Sequence, residues 1–317
     1  MTVFGPGFAV LGAEELRQSL PMLELIPAIS NEFSQSPTTP KRTVIELPGE
    51  RWQIMSSYSP EAGLVCKVVN VALSRRSNGY PLISGALMLL SPQGDVRAIV
   101  DAGTSNARRS GAVAAWATSM LAKRDASVLA LFGVGSLAEP QIEAINCVRP
   151  LREIRIVAGS EEHARSFAAR MREGGWNIRA ESVAGALHGA DIVSTCTTSP
   201  TPVFPDDLIE PGTHINAIGQ YRPDRREIPA ATVARAKTVV ESLAPAWEEA
   251  GELVLARVEG LIGDSHVVGE LMHAESLTSI RTSDRDITLF KSIGSAVADL
   301  AAARVVLAHL DERTRDS

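Results

Sequence analysis

Short segments of apolar and β-branched residues recur through the first hundred residues of the chain. Two of them flank SPQG at residues 91–94, a turn sequence that suits a hairpin. Residues 12–33 carry apolar positions at three- and four-residue spacing, which predicts helices interrupted at Pro21. We therefore predict an antiparallel or mixed sheet with flanking helices. Its strands are TVIEL (43–47), RWQIMSS (51–57), GLVCKVVNVAL (63–73), ISGALMLLS (83–91) and VRAIVD (96–101).

From residue 107 onward the pattern changes to an alternation of strands and helices. The segment ARRSGAVAAWATSMLAKR (107–124) predicts one long alanine-rich helix. Later strands are predicted at SVLALFG (127–133), EIRIVAG (153–159), DIVSTCT (191–197), HINAIG (214–219) and TVVESL (238–243), with helices at 136–148 and 161–175. Such alternation predicts a parallel doubly wound sheet. Residues 286–314 end in a long helix, which we expect to return to the first domain.

The bulk composition indicates a globular protein long enough for two domains. The chain has 317 residues, 45% of them hydrophobic, and a formal net charge of −6. An acidic balance argues against a nucleic-acid partner, and no apolar stretch approaches the ~20 residues of a membrane helix. The three cysteines, Cys66, Cys147 and Cys196, fit no metal-ligand pattern and suit a reducing compartment. We expect a cytoplasmic protein without a metal, since the N-terminus also lacks the basic region of a signal peptide.

A glycine turn follows the first strand of the alternating region. Gly133, Gly135 and Ala138 form a Gly-x-Gly-x-x-Ala pattern between an apolar strand and a helix. In that context the pattern predicts a dinucleotide site, because the glycines let backbone amides approach a pyrophosphate at the helix N-terminus. The alternative is a turn that merely joins strand to helix. The next strand ends in Ala158-Gly159-Ser160 without a carboxylate, which favours NADPH over NADH.

Several longer segments resemble the ornithine cyclodeaminase/mu-crystallin family in the family's own order. The resemblance implies a homodimer with a nicotinamide-binding Rossmann domain, here 119–296. It implies a second, α+β domain for substrate and dimer contacts, here 1–118 together with 297–317. The matching segments are GLVCKVVN, DAGTSNARRSGAVAA, LFGVGSLA, GADIVSTCTTSPTPVF, IEPGTHINAIGQYRPDRREI and DITLFKSIGSAVADL, which cover most of residues 60–300.

Two cations carry the catalytic prediction. Lys67 lies in an apolar strand, where a lysine is costly without a partner, and matches the family's active-site lysine. The alternative is an edge-strand lysine that discourages aggregation. Arg109 matches the family arginine that opens the long helix and is expected near a substrate carboxylate, whereas Arg108 is expected to be a solvated surface charge.

Further residues complete the predicted site. The resemblance places Arg42 in the substrate site, with Lys41 as the alternative, and Met55 is a candidate for the pocket wall. His214 is expected to be a packed strand histidine rather than a catalyst. The predicted cofactor contacts are Arg109, Gly133, Gly135, Ser136, Leu137, Ala138, Ser160, Thr195, Cys196, Thr197, Ile218, Gly219 and Ser292.

One departure from the family selects the reaction. Ornithine cyclodeaminases carry an aspartate where this chain has Tyr221, and a phenol with a pKa near ~10 is a poor base at neutral pH. Asp224 lies three residues further on. The resemblance therefore points to an NAD(P)H-dependent reductase of a small imino acid, such as 1-pyrroline-2-carboxylate or 1-piperideine-2-carboxylate. The alternatives are an ornithine cyclodeaminase, an iminosuccinate- or alanine-type dehydrogenase, and a non-catalytic NADPH-binding protein.

Overall fold

The computed structural model describes residues 4–72, 74–75 and 80–315. The chain divides into two compact units, the first made of residues 1–113 and 295–317 and the second of residues 114–294. The first unit is therefore built from both ends of the chain. None of the helices within the described ranges is long and apolar enough to cross a membrane.

The first unit contains a six-stranded mixed sheet. Strand order is β1-β6-β5-β4-β3-β2, with β1 parallel to β6 and the other neighbours antiparallel. The predicted mixed sheet is confirmed, but β1 was not predicted because Gly and Pro interrupt its alternation. The strands are β1 (Phe4–Leu11), β2 (Thr43–Leu47), β3 (Glu50–Ser59), β4 (Gly63–Ala72), β5 (Ile83–Leu90) and β6 (Val96–Asp101).

Four helices accompany this sheet. The predicted interruption at Pro21 separates α1 (Ala13–Gln18) from α2 (Met22–Ser34). Helix α3 (Ala102–Leu121) begins five residues earlier than predicted, directly after β6, and the boundary between the two units falls within it. The C-terminal helix α10 (Ala296–Arg315) packs against α2, β3 and β4. One face of the sheet is thereby covered, which buries alternate residues of β4.

The second unit contains an eight-stranded parallel sheet in the order β13-β12-β14-β11-β10-β7-β8-β9. β8 and β10 lie on opposite sides of β7, so the order in which successive strands are added to the sheet reverses at β7. Such a switch point leaves a crevice at the carboxyl ends of the strands. The predicted α/β fold class is confirmed. The strands are β7 (Val128–Phe132), β8 (Glu153–Val157), β9 (Ile178–Ala180), β10 (Ile192–Thr195), β11 (His214–Ala217), β12 (Lys237–Val240), β13 (Val267–Glu270) and β14 (Thr288–Lys291).

Helices flank this parallel sheet. The two predicted ones are α4 (Ala138–Val148) and α5 (Glu161–Glu173). Shorter helical segments were not predicted, because a run of fewer than about ten residues is too brief to show a helical period. They are α6 (Val183–Leu187), α7 (Ala230–Arg235), α8 (Leu243–Glu249), α9 (Gly251–Val258) and 3-10 segments at Asp206–Leu208, Asp264–His266 and Leu271–Ser279.

Gly63 and Gly94 both have positive φ, but only Gly63 is closely packed. Replacing each by alanine distinguishes the cost of backbone strain from the cost of a steric clash. Gly63 has φ +82° and a side chain there would place Cβ 2.1 Å from the Leu90 carbonyl oxygen, whereas Gly94 has φ +93° and open space. We expect Gly94→Ala to cost about 1 kcal/mol from φ alone. Gly63→Ala should cost at least ~3 kcal/mol, because the neighbouring strand must also move. Urea unfolding midpoints measure both, and equal midpoints would contradict the strand contact.

Candidate active site

A buried lysine occupies the middle of the first unit's sheet. Lys67 lies in β4 between β3 and β5, opposite Met55 on one side and Leu87 on the other, and is 1% exposed. Since β4 is an interior strand, Lys67 is not an edge-strand lysine, and that alternative is wrong. Such a burial is costly unless the ammonium group has a partner.

The partner is an aspartate from the opposite end of the chain. Asp299 in α10 is fully buried, and its Oδ2 lies 2.5 Å from Lys67 Nζ. Its Oδ1 lies 3.3 Å from Arg109 Nε, and Arg109 Nη2 donates a 2.6 Å hydrogen bond to Asn106. A guanidinium has five N–H donors, so Arg109 retains donors for a further acceptor. Asp299 thus ties β4 and α3 to the C-terminal helix.

Arg42 adds a third cation. It precedes β2, and its Nη1 donates a 3.2 Å hydrogen bond to Gln53 on the buried face of β3. Its charge acts on both Lys67 and Asp299, whereas Lys41 is exposed. The structure therefore brings together Arg42, Met55, Lys67 and Arg109, all of which were predicted substrate-site residues.

The charges in this cluster do not balance. Among the described residues, two buried cations, Lys67 and Arg109, pair with the single carboxylate of Asp299, and the charge of Arg42 acts on the same groups. Burial lowers the pKa of Lys67 to about 8, with Arg109 and Arg42 acting in the same direction and Asp299 opposing them. Burial acts to raise the pKa of Asp299, but the cations outweigh it and hold that pKa below its usual value. An excess of buried positive charge makes the cluster a receptor for an anion.

Two predictions about α3 were wrong. Arg108 is buried rather than solvated, and its Nε donates a 2.7 Å hydrogen bond to the Leu20 carbonyl. Arg109 lies in the third turn of the helix rather than at its start. The reason is that the helix begins directly after β6, where Asp101 Oδ1 accepts the Thr104 N–H at 2.6 Å. Such an N-cap satisfies a first-turn amide and fixes the start of the helix.

In the second unit, the predicted dinucleotide turn lies at the crevice edge of the sheet. Gly133 follows β7 with φ +103°, and a Cβ there would lie 2.8 Å from the Cys196 carbonyl oxygen. A Cβ on Gly135 would meet open space. The turn continues through Ser136 and Leu137 into α4, where Ala138 is fully buried and no described side chain caps the first turn. A helix N-terminus without a side-chain cap and the open space beside Gly135 fit a pyrophosphate.

The end of β8 has no carboxylate in the place that NAD-binding sites use. Ser160 instead caps α5, with its hydroxyl accepting the His163 N–H at 3.5 Å. Glu161, one residue later, is exposed and paired with Arg165 at 2.9 Å. No carboxylate at the end of β8 would therefore repel the 2′-phosphate of NADPH.

The remaining predicted cofactor contacts follow β10, β11 and β14 at the same edge. Thr195 ends β10, and its buried Oγ1 has no hydrogen-bond partner among the described residues. Ile218 and Gly219 follow β11, and Ser292 follows β14 and donates a 3.0 Å hydrogen bond to Glu241. The second carboxylate oxygen of Glu241 is also buried without a described partner. Unpaired buried polar atoms at this edge fit a polar ligand such as a nicotinamide carboxamide.

Two further side chains of the second unit, one at each end of its strands, lack the ionisation that catalysis would need. Burial, together with the charge of Glu227, raises the pKa of the Cys196 thiol, so it is not a nucleophilic thiolate. His214 is buried between Thr288 and Asn216, and burial lowers its pKa to about 3. His214 is therefore a neutral packed histidine, as predicted.

Sequence reasoning missed the acidic partners of the site. Asp299 is the lone charge in the apolar run from Ala296 to Ala303, and a single acid in such a run indicates a buried partner. Gln53 gave no comparable indication. Glu227 lies in a run of charged residues that is typical of solvated surface.

Removing the Asp299 charge tests the cluster directly. We expect Asp299→Asn to lower the free energy of unfolding by ~3–5 kcal/mol, because buried cations lose their counterion. The exposed Asp224, paired with Arg222 at 3.0 Å, provides the matched control, and Asp224→Asn should change it by less than ~1 kcal/mol. Urea denaturation of both variants measures the difference, and equal losses would contradict a buried cluster.

Known proteins resemble this chain along nearly its whole length. A Delta(1)-pyrroline-2-carboxylate reductase of Bacillus cereus is 34% identical, covering 96% of this chain and 97% of the reductase. The structure of Thermococcus litoralis Delta(1)-pyrroline-2-carboxylate reductase in complex with NADH and L-proline has a TM-score of 0.92 at 30% identity, covering 96% and 98%. An archaeal alanine dehydrogenase dimer with bound NAD has a TM-score of 0.88 at 28% identity, covering 96% of each chain.

The family assignment follows from a match to residues 8–314. That range includes the strand of Lys67, the glycine turn after β7 and the helix of Asp299. The resemblance found in the sequence is confirmed: this chain belongs to the ornithine cyclodeaminase/mu-crystallin family.

Proposed function

We propose that this protein reduces a small cyclic ketimine carboxylate to the corresponding L-amino acid with NADPH or NADH. 1-Pyrroline-2-carboxylate and 1-piperideine-2-carboxylate are the first candidates. At the coarser level the chain is an NAD(P)H-dependent oxidoreductase acting on carbon–nitrogen bonds, as are its reductase relatives. The observation that carries the proposal is the excess of buried cations around Asp299.

The first unit's residues account for substrate binding. Arg109 can grip a carboxylate through two parallel N–H donors, and Arg42 adds a second positive charge. Such fixation of a reactant can supply ~7–11 kcal/mol of barrier reduction. Met55 lies beside Lys67 on the same buried face and would form the wall next to the ring.

Lys67 is proposed to handle the proton. Its ammonium group, held by Asp299, would donate a hydrogen bond or a proton to the ring nitrogen. When bound, the reduced nicotinamide supplies the hydride that the C=N carbon accepts. Proton and hydride together convert the imine to an amine, and Lys67 then regains its proton from solvent.

The second unit's residues would hold the cofactor. The glycine turn after β7 and the start of α4 suit the pyrophosphate, and Thr195, Thr197, Ile218, Gly219 and Ser292 suit the nicotinamide end. We propose NADPH as the preferred form, because Ser160 rather than an acid follows β8. Assays with both cofactors test this preference.

Reduction is favoured over cyclodeamination by the residues at the family's aspartate position. Tyr221 stands there and packs partly buried against the second unit's core. Asp224 is exposed and engaged with Arg222, which holds its pKa below the usual value. A carboxylate with a lowered pKa is a weaker base, so Asp224 is a poor replacement for the aspartate that would take a proton from the reacting amine.

A substrate screen tests the proposed reaction. Oxidation of NADPH and NADH is followed with both cyclic ketimines, with iminosuccinate and with pyruvate plus ammonia. We expect the highest kcat/KM with a cyclic ketimine, and higher rates with iminosuccinate or pyruvate would contradict the proposal. Ornithine with NAD⁺ is run beside them, and ammonia release there would instead support a cyclodeaminase.

Replacing Lys67 tests its role in that reaction. Lys67→Met should reduce kcat by ~10²–10⁴-fold, the usual contribution of a positioned acid. The exposed Lys41 gives a matched control, and Lys41→Met should leave kcat within about twofold, as expected for a surface substitution. Near-normal turnover of Lys67→Met would remove the lysine from the mechanism.

The pH profile provides a second test. Because the protonated lysine is the active form, kcat/KM should fall as pH rises through the Lys67 pKa of about 8. Asp299 raises that pKa, so Asp299→Asn should move the fall to lower pH. Rate measurements from pH 6 to 10 show the profile, and one that stays flat to pH 10 would contradict this role.

We also propose that the protein is a homodimer through the uncovered face of the first unit's sheet. This face, opposite the buried Lys67, exposes a row of large apolar side chains. Exposed apolar patches of this kind mark interaction surfaces, and the archaeal alanine dehydrogenase neighbour is a dimer. A second copy of the chain is the proposed partner, with the cytoplasm as the expected location. The face comprises Ile45, Leu47, Trp52, Ile54, Tyr58 and Val68.

A charge on this face should separate the dimer. Ile54 pairs with Val68 in the sheet and is 39% exposed, so Ile54→Glu would bury a carboxylate at the interface. We expect light scattering to give twice the 33.8 kDa chain mass for the wild type and the single mass for the variant. Val258→Glu, on an exposed site of the second unit, is the control. A dimeric Ile54→Glu protein would contradict the assigned face.

A further inference from the structure

A fully buried carboxylate lies behind the predicted cofactor edge of the second unit. Glu227 Oε1 accepts the Thr197 N–H at 2.7 Å, and Oε2 accepts the N–H groups of Gly219 at 2.7 Å and Gln220 at 3.1 Å. Thr197 follows β10, whereas Gly219 and Gln220 follow β11. One side chain therefore joins the two segments that leave neighbouring strands at the crevice.

The segments after β10 and β11 approach each other so closely that no residue larger than glycine fits at position 219. A Cβ there would lie 2.3 Å from the Thr197 carbonyl oxygen and 2.6 Å from Glu227 Oε1. The glycine, predicted as a cofactor contact, is thus required by the packing of these two segments on the carboxylate. Its backbone amide points at Glu227, so this amide is not available to a ligand.

Two further buried charges complete the arrangement. Glu252 in α9 accepts the Glu227 N–H at 2.9 Å through Oε1, and its Oε2 lies 2.8 Å from Lys291 Nζ. Lys291 ends β14 and also donates a hydrogen bond to the Gln220 carbonyl. Burial raises the pKa of Glu227, with Glu252 adding to the shift and Lys291 opposing it. The Glu227 carboxylate accepts three backbone N–H groups and also a hydrogen bond from the Thr197 side chain, and a side chain surrounded by donors fits the ionised form.

We propose that Glu227 is a positioning residue for cofactor binding, which fixes the segments after β10 and β11 in the conformation that receives the nicotinamide end. The proposal rests on the proposed function only in requiring that the chain bind NADPH or NADH. Glu227 would act through Thr197, Gly219 and Gln220 rather than by touching the cofactor. An amide in its place has only one acceptor oxygen and would leave buried N–H groups unpaired.

The same sheet provides a matched control at its opposite edge. Asp191 precedes β10, and its Oδ2 accepts the N–H groups of Ser127 at 3.0 Å and Val128 at 3.1 Å. Its Oδ1 pairs with Lys123 at 3.1 Å. Like Glu227, it joins the backbone of neighbouring segments and has a lysine nearby, but it lies at the amino ends of the strands. The Asp191 side chain is 20% exposed whereas Glu227 is fully buried, so melting temperatures report the structural loss of each variant separately from its cofactor affinity.

The experiment compares Glu227→Gln with Asp191→Asn in the full-length protein. Kd values for NADPH and NADH come from fluorescence titration, and melting temperatures are recorded without ligand. We expect Glu227→Gln to raise the Kd of the cofactor that the wild type binds more tightly by at least ~10-fold, the effect of ~1.4 kcal/mol. Asp191→Asn should change that Kd by less than threefold (~0.65 kcal/mol), because Asp191 lies at the amino ends of the strands.

In steady-state assays of Glu227→Gln, KM for the cofactor should rise while KM for the imino acid stays within threefold. A Kd within twofold of wild type for Glu227→Gln, or an equal rise for Asp191→Asn, would overturn the proposal. If Glu227→Gln does not fold, Glu227→Asp replaces it under the same criteria, since it keeps the charge but shortens the reach.

The outcomes separate this inference from the proposed function. A wild-type protein that binds NADPH or NADH but reduces no imine would contradict the reaction, while the two Kd values still decide the role of Glu227. A wild-type protein that binds neither cofactor would overturn both proposals.

Discussion

The structure of the first unit depends on one buried carboxylate. Asp299 balances part of the charge of Lys67 and Arg109, two cations that the sheet and α3 carry into an apolar interior. A buried cation without a counterion is destabilising, and a fully neutralised one would not attract an anion. With one carboxylate for two buried cations, the cluster accommodates the lysine and keeps positive charge for a ligand. The C-terminal helix belongs to the first unit and brings Asp299 into it.

The second unit shows a related arrangement at its predicted cofactor edge. Glu227 satisfies backbone amides of the segments after two parallel strands, and Glu252 and Lys291 balance charge behind it. Buried ionic side chains join β4, α3 and the C-terminal helix in the first unit, and in the second unit a buried carboxylate joins the backbone segments after β10 and β11. The proposed chemistry needs few other groups from the protein, because the cofactor would supply the hydride and the substrate would be positioned mainly through its carboxylate.

The sequence predicted those features of the fold and the site that depend on neighbouring residues along the chain. Lys67 could be predicted because a charge interrupts an apolar strand, and the glycine turn because a strand precedes it and a helix follows. Asp299 lies 232 residues from Lys67, and Glu227 gains its role only through backbone amides of other segments, so neither pairing is visible along the chain. Arg108 was misplaced because adjacent arginines look alike in sequence, and only the helix start decides what each one meets. Fold class can be predicted because many local patterns contribute to it, whereas a site depends on a few contacts between residues far apart in the sequence.

Whether the cation cluster binds the carboxylate of a planar imino acid can be measured with two ligands that differ in charge but not in shape. Pyrrole-2-carboxylate and the neutral pyrrole-2-carboxamide have nearly the same shape, and their Kd values for the full-length protein can be compared by calorimetry at pH 7. We expect the carboxylate to bind at least ~10-fold more tightly, because charged hydrogen bonds contribute ~1.5–3 kcal/mol. Equal binding of the two compounds would contradict it.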